Sequence, residues 1–403
     1  AAAGQKAGAK AKSSARKTEK AADDAELFRK PSDNEPLGDG VAVRELGLDH
    51  GAILYCRPAI KASGDSSAFD QRAKQMPGQS VRNWEDLSKE QSQLRVQHQS
   101  KPTVSKLSLD ASTTRRFAAY LSRRSEPTRR VALLFGETRT NEKQDQEVLV
   151  HAMWEPPQLS ATPSDYDVST LQKAVKGCPA ISLAKSLGYE LVGWLFTHPP
   201  RDHFLSSSDV LLTSEMKQSI EQDRGVNASS SFVIVAVRDG VVEGASAKDA
   251  EQVSFEAYQV SHQVFRWTQD GTIRPLEDHV SQSHAARLQS TKELIAEGKH
   301  TREFDTALCS VPVPIVAHEG PLRSLFTPAN RPEEKQSKRL LRRALFGTIG
   351  EPLGLEERLT DFQLLLYLSK RVPDLGPLIQ SIKSGAPIPT YYKTVFEQLT
   401  GTS

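Results

Sequence analysis

Cysteine is scarce in this chain: Cys56, Cys178 and Cys309 are three in number and far apart. They form no Cys-x-x-Cys pair, which argues against a zinc knuckle and against a disulfide framework. A reducing compartment, cytosol or nucleus, is the default expectation. Long hydrophobic runs are lacking as well, since no stretch approaches the roughly 20 apolar residues of a transmembrane helix. The sequence has no Gly-x-Gly-x-x-Gly fingerprint, no Gly-Lys-Ser/Thr loop after a strand and no Gly-x-Ser-x-Gly elbow. Dinucleotide, P-loop and serine-elbow chemistry are therefore not indicated. Charge of one sign is also missing, with 52 basic against 50 acidic residues and a net charge of +2. No internal repeat is visible.

What is present is a 403-residue chain in which 37% of residues are hydrophobic. At about 150 residues per domain this is enough for two to three domains with real cores. Residues 1–20 carry six Lys or Arg against one acid, so the basic excess is a tail, not a folded face. Nucleic acid is accordingly not an expected partner. Residues 1–27 hold Ala, Lys, Gly and Ser with no bulky apolar residue before Leu27, and such a segment is expected to be a disordered arm. Residues 28–60 read as a small β-rich unit, with a helical turn at Arg44–Leu46, a turn at Asp49-His50-Gly51 and a strand at Ala52–Cys56. Residues 61–102, rich in Gln, Ser and Lys, read as a connector.

The main body is expected at 103–275, an α/β layer structure with one mixed sheet and flanking helices. Asp110 is placed to cap a helix bearing Phe117, Tyr120 and Leu121. Strands are expected at 131–136, 147–154, 191–197, 231–237 and 253–260, with helices near 170–186 and from Ser208 or Asp209 to about 223. The run 191–197 is continuously apolar, as in a strand buried on both faces. Asp239-Gly240 reads as a tight hairpin turn. Residues 276–403 are expected to be mainly helical, with a single strand-like run at Leu308–Ala317. The helices there are placed at 281–297, at 338–346 and at 355–371, the last carrying Leu355, Leu359, Phe362 and Leu366 on one stripe. The basic run Arg331–Arg343 is a candidate contact for acidic surfaces.

The segment WLFTHPPRDHFLSSSD (194–209) joins a buried strand to a helix start. It resembles the zinc loop of JAMM/MPN metallopeptidases, in which His-x-His-Pro is followed by Ser-x-x-Asp. A catalytic zinc takes three protein ligands and keeps an open position for water. Here Phe196 stands at the first imidazole position, His198 at the second, and Ser206 with Asp209 supply the later element. Phe196 has no lone pair to donate, so these four residues read as the degenerate remnant of a metal site, with no catalytic residue, no metal and no cofactor. His203 is a conceivable substitute ligand but enters from another direction. His262 and His318 stand alone in the sequence and read as structural.

The words WEPPQ (154–158), ELVGWLF (190–196), FLSSSDVL (204–211), FEAYQVS (255–261), HEGPL (318–322) and LTDFQLLLYLS (359–369) occur in the order found in the nuclear protein localization protein 4 family. The chain resembles the plant-type members, which lack zinc fingers, and LGLDHGAILY (46–55) is similar to the close of that family's ubiquitin-like domain. The resemblance implies an inactive MPN domain followed by a helical C-terminal domain. It also implies a non-enzymatic adaptor that works with ubiquitin fusion degradation protein 1. Together they would bind ubiquitin chains and deliver an unfolded ubiquitin segment to the hexameric valosin-containing AAA ATPase. Localisation would be cytoplasmic and nuclear, with recruitment to the endoplasmic reticulum surface through partners and no membrane insertion. Phe204, Leu205, Phe255, Tyr258 and Phe362 are the candidates for the ubiquitin groove, with Phe204, Leu205 and Tyr258 expected to be exposed. The alternatives are a JAMM-type zinc isopeptidase, opposed by Phe196, and a structural MPN subunit of another assembly.

Overall fold

The computed structural model describes residues 25–28, 35, 37, 54–58, 94–123, 129–157, 175, 178–198, 200–239, 253–274, 286–331, 333–347 and 353–401. The chain divides into two compact units, 1–93 and 94–403. In the first, β1 (Ala25–Phe28) pairs antiparallel with β2 (Tyr55–Pro58). Residues 25–27, the end of the arm expected at 1–27, thus lie in a strand, while residues 1–24, the expected turns at 44–46 and 49–51, and residues 61–93 of the expected connector lie outside the described residues.

The second unit is built on an eight-stranded mixed sheet, ordered β13-β9-β8-β7-β5-β6-β4-β14. Its strands are β4 (Val104–Asp110), β5 (Val131–Thr140), β6 (Gln146–Trp154), β7 (Glu190–His198), β8 (Val233–Asp239), β9 (Val253–Val260), β13 (Ser310–Val313) and β14 (Ile315–His318). The two edge strands, β13 and β14, are separated in the chain by Pro314 alone, which curls the sheet into a nearly closed barrel. The seam is sealed by Gln259 on β9, only 2% exposed. Its side chain accepts from Thr103 N and Val104 N at 2.8 and 3.1 Å and donates to Ser230 O and Phe232 O at 3.0 and 3.2 Å. A buried primary amide meets its hydrogen-bonding demand only in such a setting, and here it ties the start of β4 to β9. The curl needs close backbone approach: a Cβ on Gly136 would lie 1.8 Å from Leu149 O, at a register shift between β5 and β6.

Strand periodicity divides the core. Leu107, Leu134, Val150, Leu195 and Val235 pack on one face with Phe117, Tyr120 and Leu121 of helix α1 (Ala111–Ser122). Val131, Leu133, Phe135, Trp194, Phe196 and Ile234 pack on the other face. There they meet α2 (Pro179–Leu187), α3 (Ser207–Arg224), α4 (His262–Gln269) and the C-terminal helices. The expected cap at Asp110 holds, its carboxylate accepting from Thr113 N at 2.7 Å.

Three expectations change. The helix placed at 281–297 is a strand, β11 (Arg287–Ala296), paired with β10 (Ile273–Arg274), β12 (Lys299–Asp305) and the short β3 (Leu94–Arg95). Its residues are helix formers by propensity, but Ala286, Leu288 and Ser290 are buried on every second position. The deciding local signal was Glu297-Gly298, whose φ angles of +49° and +78° make the two-residue hairpin turn to β12. β13 and β14, which follow residue 275 in the chain, belong to the main sheet. Second, Asp239 of the expected turn is the last residue of β8, paired with Val253 of β9, and Gly240 lies outside the described residues. Third, the helix placed at 355–371 is two helices, α6 (Leu355–Arg358) and α7 (Phe362–Ser369), interrupted where Asp361 caps α7. Among the described residues from 338 on the named elements are all helices, with α5 (Lys338–Phe346), α8 (Gly376–Ser384) and α9 (Thr390–Thr400) beside α6 and α7.

Lys217 on α3 is buried, with Nζ 4.5 Å from the centre of the Phe265 ring. Burial lowers its pKa from 10.5 to about 8, with Glu221 opposing the shift. The folded chain then binds fewer protons than the unfolded chain between about pH 8 and 10.5, so stability contributed by this group rises with pH across that window. The urea midpoint is expected to climb between pH 8 and 9.5, by up to about 1.4 kcal/mol of stability per pH unit. Lys217→Met should raise the midpoint at pH 7 and flatten that climb; an unchanged slope would show that the ammonium is not desolvated.

Candidate functional site

The corner where β7 meets α3 gathers the residues singled out in the sequence. Period-two alternation puts Trp194, Phe196 and His198 on one face of β7. The Trp194 and Phe196 ring centroids are 5.0 Å apart, and those of Phe196 and His198 are 5.9 Å apart. Phe196 is fully buried and His198 is 7% exposed. Across the loop, Ser206, not Ser208 or Asp209, is the N-cap of α3. Its hydroxyl accepts from Asp209 N at 3.2 Å, while Asp209 Oδ2 accepts from Ser206 N at 2.8 Å, a reciprocal capping box. The four remnant positions thus form two contacting pairs, one at the end of β7 and one at the start of α3.

Arg201, which sequence reasoning did not single out, occupies the middle of that corner. Its Nη2 donates to Asp209 Oδ2 at 3.1 Å and to the Phe204 carbonyl, and its guanidinium lies 5.3 Å from the centre of the Phe196 ring. The Arg201 and Asp209 side chains are 8% and 0% exposed. The donor set does not fit zinc: one ligand position is a phenyl ring, and the carboxylate already carries a guanidinium and a backbone N–H. Burial and the neighbouring Arg201 lower the His203 pKa, leaving that ring neutral at pH 7. Among the described residues no three His, Cys, Asp or Glu side chains converge as a metal site.

The groove candidates separate by exposure. Phe204 is 57% exposed, its ring 5.6 Å from that of Tyr258. Leu205 and Tyr258, expected at the surface, are buried, as is Phe362, which packs on Phe135 with centroids 5.8 Å apart. Leu205 follows an exposed residue but faces the core beneath the loop, and Tyr258 lies in the outer core with its hydroxyl on Glu256 at 2.7 Å. Phe255 is half-buried. The basic run also changes: Arg331 is buried against Glu155, whereas Lys335, Lys338, Arg339, Arg342 and Arg343 are exposed.

His318 is not isolated. Ser108 Oγ, His318 Nδ1 and Nε2, His151 Nδ1 and Nε2, and Glu137 Oε1 form one chain with contacts of 2.9, 3.1 and 3.1 Å. Burial opposes it, yet hydrogen bonds from His151 and Arg139 hold Glu137 below the ordinary carboxylate range. An ionised Glu137 requires hydrogen on His151 Nε2. In the arrangement with one hydrogen on each ring, His151 Nδ1 accepts from His318 Nε2 and His318 Nδ1 accepts from the Ser108 hydroxyl. Burial, first, and the neighbouring His151 ring push the His318 pKa down. No sequence signal could find this group, because its members come from β4, β5, β6 and β14.

No family model matches the sequence. Individual proteins do. The chain is similar to NPL4-like proteins. An NPL4-like protein of Oryza sativa subsp. japonica is 27% identical over 323 residues, 77% of this chain and 72% of that protein. NPL4-like protein 2 of Arabidopsis thaliana is 26% identical over 370 residues, 89% of this chain and 82% of that protein. The nuclear protein localization protein 4 homolog of Dictyostelium discoideum is 26% identical over 238 residues, 59% of this chain and 36% of that longer protein. No helix of the described residues is long and apolar enough to cross a membrane.

Proposed function

We propose that the chain is a member of the NPL4-like family and a non-enzymatic adaptor. With ubiquitin fusion degradation protein 1 it binds ubiquitin chains and passes an unfolded ubiquitin segment to the valosin-containing AAA ATPase. In this reading the barrel with α1–α4 is an inactive MPN domain, the helices from residue 338 on are the C-terminal domain, and the protein works in cytoplasm and nucleus. The observation that carries it is similarity to three NPL4-like proteins across 77%, 89% and 94% of the chain. The corner at Arg201, in which no ligand set for zinc is assembled, supports a binding role over an isopeptidase.

Phe204 is the proposed ubiquitin contact, an exposed ring braced by Tyr258, whereas Phe255 packs against the core on the opposite face of β9 and is not part of that surface. An exposed aromatic on a rigid support loses little entropy on binding and is a favoured anchor. The test is retention of the purified chain on immobilised ubiquitin tetramers, with and without ubiquitin fusion degradation protein 1. Retention without shortening of the tetramers is expected. Phe204→Ala should weaken it about 5- to 30-fold, the equivalent of ~1–2 kcal/mol, with little change in melting temperature. Full retention of that variant assigns the contact elsewhere. No retention of the unsubstituted chain in either condition rejects the adaptor reading, and cleavage of the tetramers reinstates the isopeptidase.

A further inference from the structure

We infer that the Arg201 guanidinium does the structural work of a metal ion at the β7–α3 corner. Two positions at i and i+2 on a strand, facing a carboxylate in the first turn of the next helix, form a geometry suited to a tetrahedral cation. A cation there links strand, loop and helix while neutralising the carboxylate. In this chain a side chain makes those links. Arg201 reaches Asp209 on α3 at 3.1 Å, the Phe204 carbonyl in the loop, and the Phe196 ring on β7 at 5.3 Å. Asp209 is fully buried, and a buried carboxylate is retained only when a positive group or several donors compensate it. The planar guanidinium suits the phenyl face as well as the carboxylate, so Phe196 and Arg201 act as a matched pair.

The same contact has a consequence for the surface. By holding the Phe204 carbonyl, Arg201 sets the loop whose ring stands out at 57% exposure. Arg201 is a positioning residue for Phe204, and the former ligand geometry is converted into a rigid display for an aromatic side chain.

The experiment compares the unsubstituted chain with Phe196→His, Arg201→Ala and the double variant Phe196→His/Arg201→Ala, using cobalt(II) visible absorption and melting with and without zinc. The unsubstituted chain and Phe196→His should show no tetrahedral cobalt bands. The double variant should show them, with affinity at least about tenfold above Phe196→His, and zinc should raise its melting temperature. If the double variant does not fold alone, zinc should restore folding. Arg201→Ala should lower the melting temperature and speed amide exchange at 203–206. A double variant that takes up no metal and is not rescued by zinc overturns the inference. So does Phe196→His binding cobalt as tightly as the double variant, or Arg201→Ala leaving both melting and exchange unchanged. None of these readouts uses ubiquitin, so this inference and the adaptor reading can fail separately.

Discussion

Glu155→Ala should cost about 3–5 kcal/mol of stability, because it removes the one carboxylate that two buried guanidinium groups share and leaves Glu334 on Arg331 alone. Glu155, the second residue of the WEPPQ word, follows β6 directly and is 3% exposed. Its Oε2 lies 2.6 Å from Arg130 Nη2, and its Oε1 accepts from Arg331 Nε at 2.8 Å and lies 2.6 Å from Nη2. Burial opposes the charge on Arg331, but Glu155 and Glu334 raise its pKa, and its guanidinium sits 4.0 Å from the centre of the Tyr120 ring. Arg130 and Asn330 add further links, Arg130 Nη2 to Asn330 O at 3.0 Å and Asn330 Nδ2 to Glu155 O at 2.8 Å. The network thereby fastens the segment before α5 to the barrel. At about 2–4 °C per kcal/mol for a unit of this size, a fall of roughly 10 °C in melting temperature is expected. Replacing Glu155, Arg130 and Arg331 together by Met should recover much of the loss, since it removes the stranded charges as well as the pair. A loss below about 1 kcal/mol for Glu155→Ala would mean that both guanidiniums find other acceptors.

Asp361→Ala should have a comparable effect through a different cause. One Asp361 oxygen, Oδ2, accepts from Leu325 N and from Phe326 N, and the other, Oδ1, accepts from Gln363 N and Leu364 N at 2.9 and 3.0 Å. The side chain is 2% exposed, so water is poorly placed to replace it. Each buried donor left unmet costs about 1–3 kcal/mol, and the cap of α7 is lost in addition. A loss of about 3 kcal/mol or more is expected in denaturant unfolding, with Asp361→Asn losing less because one carbonyl oxygen survives. Hydrogen exchange should rise first at residues 325, 326, 363 and 364. Exchange that rises uniformly instead would show that the residue acts on global stability and not on this junction.

The elements most legible in the sequence were those whose burial pattern is local. Asp110 before an amphipathic helix, the apolar run of β7 and the basic-and-apolar pattern of α5 each state their fold within a dozen residues. β11 was not legible in that way. Its Lys, Glu, Leu and Ala residues favour a helix, and pairing with β10 and β12 overrode that preference. The break at Asp361 was hidden for a related reason: the leucine spacing continues across it, but the carboxylate caps α7 while taking two N–H groups from a loop 35 residues away. At the candidate site the four remnant residues could be located because strand period and capping motif are short-range rules. Which candidates are exposed could not, because Leu205 and Tyr258 are covered by packing from other elements.

By itself the sequence determined that no bound metal can use position 196, that the chain carries no transmembrane helical run, and that its ordered words resemble one family; these follow from side-chain identity and spacing alone. Only the tertiary structure decided that Arg201 fills the corner, that Arg331 is buried while its neighbours are exposed, and that His318 joins Ser108, His151 and Glu137. The reason is physical. A charged or ring side chain has no fixed role until distant elements set its dielectric surroundings and its partners. In the His318 group those elements are brought together by strand order, since β14, β4, β6 and β5 lie side by side in the sheet, an order that no local pattern encodes.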